Sequence, residues 1–284
     1  MPTWSLTLVV TREEAEDAAG ELVLEGAAGV EVRDGEGPPM PGVAQPPPGQ
    51  AVLVAFFDDR ATAEEAAATR GGTLEVVPDE DWSETWKKDL RPVLAGRVYV
   101  RPTWIDAPPP PDTVEVVLDP GMAFGTGAHP TTSLCLGALS AALAARPGAS
   151  VLDVGTGSGL LAIAARKLGA GRVAANDVDP VAVKVAGENA AANGVVLELL
   201  AAPIEAIAGS FEVVVANILA NTLVELAPAL AARLAPGGLL FLAGVLVPQE
   251  EEVRAACLAQ GLLARPDLEQ REGEWSLLAL ARPA

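Results

Sequence analysis

The sequence holds one histidine, one tyrosine and two cysteines in 284 residues, and only 4% of it is aromatic. With His129 alone, a metal site built on two histidines is excluded. Cys135 and Cys257 lie in apolar helical patterns without metal-ligand spacing, so buried reduced thiols are expected, with neither a disulfide nor a metal. Basic residues are scarce as well: 19 Lys or Arg stand against 38 Asp or Glu, a net charge of −19. No basic face is available to neutralise phosphates, which argues against a nucleic-acid partner and suits a basic one. The uncharged run from Leu234 to Gln249 is broken by Pro236-Gly237-Gly238 and falls short of a membrane span, so no membrane partner is expected. Met1-Pro2-Thr3-Trp4 leads straight into an alternating strand pattern without a basic, apolar leader, and the cytoplasm is the expected location.

Half of the residues are apolar, enough for the core of one large or two modest domains. The most informative stretch is Val151-Leu-Asp-Val-Gly-Thr-Gly-Ser-Gly159, followed by the helix-forming Leu160-Leu161-Ala162-Ile163-Ala164-Ala165. A buried strand, read from Ser150 to Val154, breaks into Gly155, Gly157 and Gly159, and a helix takes over, as in a nucleotide-binding βαβ unit. These glycines are read as letting a ligand touch backbone. Asp177 closes the apolar segment Arg172–Asn176, 22 residues after Gly155, where a second strand would deliver a carboxylate to a ribose diol. A dinucleotide fingerprint has its third glycine three residues after the second, to seat a pyrophosphate. The even spacing here favours S-adenosylmethionine, which has no phosphate.

Taken in order, the chain begins with strand, helix and strand at 4–10, 13–25 and 29–33, then strand, helix and strand at 51–57, 61–70 and 73–77. This βαββαβ order is ferredoxin-like, a small α+β domain of residues 1–77 with 4 basic and 14 acidic residues. A Gly- and Pro-rich surface loop spans Asp34 to Gly49. Residues 78–96 read as a linker, in which Trp82 and Trp86 would share a helix face, either as a packed hinge or beside the path to the site. From 97 to 284 strands and helices alternate steadily, as in a doubly wound sheet, and 262–271 with 275–282 form a closing hairpin that makes an antiparallel edge. Asp119 to Thr132 carries Gly121, Gly125 and Gly127 around Phe124 and is read as a lid or wall, with Pro130 opening a helix and His129 in a structural or capping role. Asn217 ends the run Val213–Ala216 at the edge where ligands bind in open α/β sheets.

Four motifs carry a likeness: Asp119 to Thr132; Val151 to Ala170; Asp177-Val178-Asp179-Pro180 with Glu188-Asn189; and Asn217-Ile218-Leu219-Ala220. On these the chain resembles the bacterial methyltransferases of large-subunit ribosomal protein eleven, over nearly its whole length. The resemblance implies an α/β fold in which a ferredoxin-like recognition domain precedes a Rossmann-type class I methyltransferase domain. It further implies that Phe124, Thr126, Thr132, Gly155, Gly157, Asp177 and Asn217 hold S-adenosylmethionine, with Asn217 also near the incoming amine. The implied acceptors are lysine side chains and the terminal α-amine of a basic ribosomal protein, and a monomer is expected. A small-molecule or RNA methyltransferase of the same architecture is the alternative, with acidity counting against RNA.

Overall fold

The structure, a computed structural model, describes residues 3–33, 46, 49–77, 91–119 and 129–284. The chain divides into two compact units, Met1–Leu90 and Arg91–Ala284. The loop read at 34–49 lies largely outside the described residues, as does the tryptophan pair 82 and 86.

In the first unit the elements are β1 (Thr3–Thr11), α1 (Ala15–Leu24), β2 (Gly29–Arg33), β3 (Gln50–Phe57), α2 (Arg60–Arg70) and β4 (Thr73–Val77). All pairings are antiparallel, in the order β2-β3-β1-β4. The period-two alternation of the strands puts Leu6, Leu8, Leu53, Ala55 and Phe57 on one face, where Leu22 of α1 and Ala63 and Ala66 of α2 cover them. Asp59 starts α2 by accepting from the Thr62 N–H at 3.0 Å, which satisfies one of the helix's orphan donors.

The second unit opens with a three-stranded sheet, β5 (Val93–Ala95), β6 (Val98–Arg101) and β7 (Val114–Val117), and then α3 (Pro130–Ala145). Residues 93–95, at the end of the stretch read as a linker, form a strand antiparallel to β6. Three residues are too few to show periodicity, and only pairing across Gly96 makes them a strand.

The main sheet is built from β8 (Val151–Val154), β9 (Val173–Asp177), β10 (Glu198–Ala201), β11 (Phe211–Asn217), β12 (Leu234–Leu246), β13 (Leu263–Ala264), β14 (Gln270–Glu272) and β15 (Trp275–Ala281). Its order is β10-β9-β8-β11-β12-β15-β13, with β14 also on β15. The first five of these run parallel and β15 is antiparallel to β12. Between strands come α4 (Leu160–Lys167), α5 (Pro180–Ala192), α6 (Ala220–Arg233) and α7 (Glu250–Leu258). Successive residues of one strand serve opposite cores. Val151, Val213 and Val215 pack with α3 and α4, while Leu152, Val154, Val214 and Ala216 pack with α6 and α7. Burial on both faces is why these strands read as continuous apolar runs.

The closing hairpin differs from its sequence reading in one respect. Its first arm is split into β13 and β14 by a turn in which the Leu268 N–H bonds the Arg265 carbonyl, because Pro266 has no N–H to give a ladder. The hairpin gives the sheet its antiparallel edge, with β15 lying between β12 and that broken arm.

Candidate active site

In the main sheet the chain runs from β8 outward to β9 and β10, then returns to place β11 on the other side of β8. The carboxyl ends of β8 and β11 therefore form a topological switch point, the place where an open α/β sheet binds ligands. Gly155, Gly157, Asp177 and Asn217 all come to this edge.

The loop after β8 is bent by three positive φ angles, 70° at Gly155, 53° at Gly157 and 83° at Gly159. It is tied down where the Gly155 and Thr156 N–H groups both donate to the Asn176 carbonyl at 2.9 Å. Two of the glycines answer first to protein packing. A Cβ at Gly155 would collide with Ile218 Cγ2, and one at Gly159 would come 3.0 Å from the Ala186 Cβ on α5. Packing within the protein is thus reason enough for glycine at these two positions. Gly157 instead donates its N–H to Asp177 Oδ2 at 3.0 Å.

Asp177 holds the loop from β9, and its other oxygen accepts from the Asp179 N–H at 3.1 Å. A carboxylate has about four lone-pair sites, so two acceptor positions remain for hydroxyls. Asp179 in turn caps α5 through the Val181 N–H at 2.8 Å, with Pro180 in the first turn.

Sequence reasoning passed over Asp153. It is 1% exposed; its Oδ2 accepts from Thr156 Oγ1 at 2.7 Å and the Ala162 N–H at 3.2 Å, while Oδ1 has no partner among the described residues. Burial pushes its carboxyl up to about 6, the hydrogen bonds from Thr156 and Ala162 oppose the shift, and the charge of Asp177 adds to it. The signal was available: an aspartate inside Val-Leu-Asp-Val is a charge where only apolar residues belong. Asn189 also bears on the loop, donating to the Ser158 carbonyl at 2.8 Å.

Across the edge, Asn217 donates from Nδ2 to Thr132 Oγ1 in the first turn of α3 at 3.4 Å. His129 is the N-cap of that helix; its Nδ1 accepts from the Thr131 N–H at 3.3 Å, and its ring meets Trp275 edge-on at 4.8 Å. The turn after Asn217 is fixed on both sides. Ile218 fills the space that Gly155 leaves open, and a Cβ at Gly244 of β12 would collide with the Ile218 carbonyl. Phe124 and Thr126 lie outside the described residues. Cys135 and Cys257 are buried free thiols, and burial pushes Cys257 up to about 11.

A parallel sheet with an antiparallel β15, a glycine loop leaving its central strand and a carboxylate at the end of the next define the class of S-adenosylmethionine-dependent methyltransferases. The spare acceptor positions of Asp177 match a ribose diol, and the bare, buried Oδ1 of Asp153 matches a donor-rich cationic group. The model of the ribosomal protein L11 methyltransferase family (PrmA) matches residues 2–283, and the chain belongs to this family. It is 48% identical over 279 residues to the ribosomal protein L11 methyltransferase of Myxococcus xanthus, covering 95% of this chain and 96% of that one. The like-named protein of Pseudomonas aeruginosa is 41% identical over 271 residues, covering 90% and 91%. Among solved structures, the ribosomal protein L11 methylase of Lactobacillus delbrueckii subsp. bulgaricus superposes with a TM-score of 0.61 at 37% identity, covering 66% of this chain and 96% of that one.

Proposed function

We propose that this protein transfers methyl groups from S-adenosylmethionine to amines of ribosomal protein L11: lysine side chains and the terminal α-amine. The observation that carries this reading is the pair of anchored polar groups at one edge of the sheet, Asp177 fixed by two backbone N–H groups and Asn217 held to Thr132. In this reading Asp177 takes the ribose hydroxyls, Gly155 and Gly157 bring backbone close to the cofactor, and Thr132, Phe124 and Thr126 complete its binding. When bound, S-adenosylmethionine supplies a methyl carbon on a positively charged sulfur, which passes to the amine nitrogen as the carbon–sulfur bond breaks.

What the chain must add is alignment and a dry mouth. Asn217, with its amide nitrogen turned to Thr132, keeps an Oδ1 without a partner among the described residues, which would accept from the incoming amine and fix its direction. A free lysine has a pKa of about 10.4, and an apolar surrounding favours the neutral form that attacks, its proton leaving to solvent. The first unit, whose strand order is that of a ferredoxin-like module, serves to recognise the substrate. With 4 basic and 14 acidic residues among 1–77, it suits a basic partner. The enzyme acts as a cytoplasmic monomer in this account. Intact-mass spectrometry of ribosomal protein L11 after incubation with the enzyme and S-adenosylmethionine tests the reading: mass gains in steps of one methyl, mapped to lysines, are expected. An unchanged mass ends it.

A further inference from the structure

Residue 219 breaks two folding rules at once. Leu219 is the N-cap of α6, where a side-chain oxygen would satisfy a first-turn N–H, and leucine has none to offer. The same side chain is 75% exposed, although Ile218 before it is half-buried and Ala220 after it is buried. A single exposed leucine on a surface is ordinary. This one stands two residues beyond Asn217, at the switch point, on a turn whose Ile218 is packed closely against Gly155 and Gly244. Serine, aspartate or asparagine would cap the helix and suit the solvent better. Local rules broken together at a site's edge mark a residue kept for contact with something else.

We infer that Leu219 is an apolar shelf along which the four-methylene stem of an acceptor lysine lies while its amine reaches Asn217. This rests on the reading of the acceptor as a lysine. A lysine stem is itself apolar and lies along apolar surface while its nitrogen reaches outward. Covering that stem also strips water from the nitrogen, which favours the neutral amine. The start of α6 works in the same direction. It carries neither a side-chain cap nor an acidic residue in its first turn, so its positive end faces an ammonium without relief. A terminal α-amine has no such stem and gains less from the shelf, which makes Leu219 a determinant of lysine over α-amine.

The test uses the full chain with recombinant ribosomal protein L11 and S-adenosylmethionine, comparing wild type, Leu219→Ser and Leu219→Met. Methyl groups on lysines and on the α-amine are counted by peptide mass spectrometry, beside cofactor affinity by calorimetry and the melting temperature. For Leu219→Ser, kcat/KM at lysines should fall about ten- to a hundredfold, the worth of covering a leucine-sized surface. Transfer to the α-amine should fall less, cofactor affinity should hold, and the melting temperature should stay or rise by about 2–4 °C as the cap is restored. Leu219→Met should recover most of the lysine activity. Wild-type efficiency in Leu219→Ser overturns the shelf, and so does a loss of activity that travels with lost cofactor affinity or a lower melting temperature. A wild-type enzyme that methylates no lysine of L11 overturns the acceptor reading itself, and the shelf with it.

Discussion

The four-stranded sheet of the first unit is covered by its helices on one face, whereas the main sheet of the second is packed on both. Both units carry exposed ion pairs, as with Lys184 and Glu188 in the second, but among the described residues buried polar groups occur only in the second. In the first unit the ion pairs are partly or fully exposed, as with Arg60 and Glu64, Arg33 and Glu31, and Arg70 with Glu21 and Glu25. The second keeps Asp153 and Asn176 inside, each with an oxygen that no described residue satisfies. A sheet closed on both faces can be reached by a ligand at its strand ends, so unsatisfied groups gathered there are groups held ready. A sheet with outward charges offers a surface instead, here an acidic one.

The sharpest way to break this comparison is Gly244→Val, which would drive a side chain into the Ile218 carbonyl at a φ of 82°. A loss of about 3–6 kcal/mol is expected, confined to the second unit's transition in chemical denaturation. Equal loss in both transitions would deny their independence. Next comes the fragment 91–284, which has two cores of its own. It should bind S-adenosylmethionine as the full chain does and methylate L11 on the order of a hundredfold less well, for want of docking and orientation. Undiminished methylation by the fragment would remove recognition from the first unit.

Asp177→Ala should weaken cofactor binding about ten- to a hundredfold with the fold retained, as a charged acceptor's hydrogen bonds are worth about 1.5–3 kcal/mol. Calorimetry on the folded variant decides this. Asp153→Asn should do something the surface acids cannot, and stabilise the ligand-free protein. Its folded pKa, about 6, is raised above the ordinary 3.8, so its contribution is whole below about pH 4 and is lost as pH climbs through 6. At pH 8 the substitution should therefore add about 1–3 kcal/mol, and at pH 4 little, when melts at the two pH values are compared. The smallest effect is expected for Arg70→Ala. Its partners Glu21 and Glu25 are 59% and 31% exposed, and the loss should stay below about 1 kcal/mol in urea melts.

Sequence patterning located the six elements described within residues 3–77 to within about two residues, because alternation or a short apolar run marks each strand and turn residues bound them. It also brought Gly155, Asp177 and Asn217 to one edge, since each ends an apolar run of strand length. What stayed hidden depends on partners distant in sequence. The strand 93–95 exists only through β6, and the reason for Gly155 lies in Ile218, a contact across strands. Asp153 was visible as an anomaly, but its bare oxygen is a property of packing that no one-dimensional pattern encodes.

The inner place of β15 in the main sheet has a consequence in time. The first unit's sheet is complete once Val77 has been made, whereas the second cannot join β12 to its outer strands until Ala281 exists. At about 5–20 residues per second, these moments are separated by roughly 10–40 s of synthesis. β12 itself is complete only at Leu246, so for the last part of that interval, roughly 2–7 s at the same rate, it is an open, apolar strand edge on a nascent chain, the kind of edge that pairs with the wrong partner. The unit that holds the glycine loop is thus the one left with an open edge while it is being born.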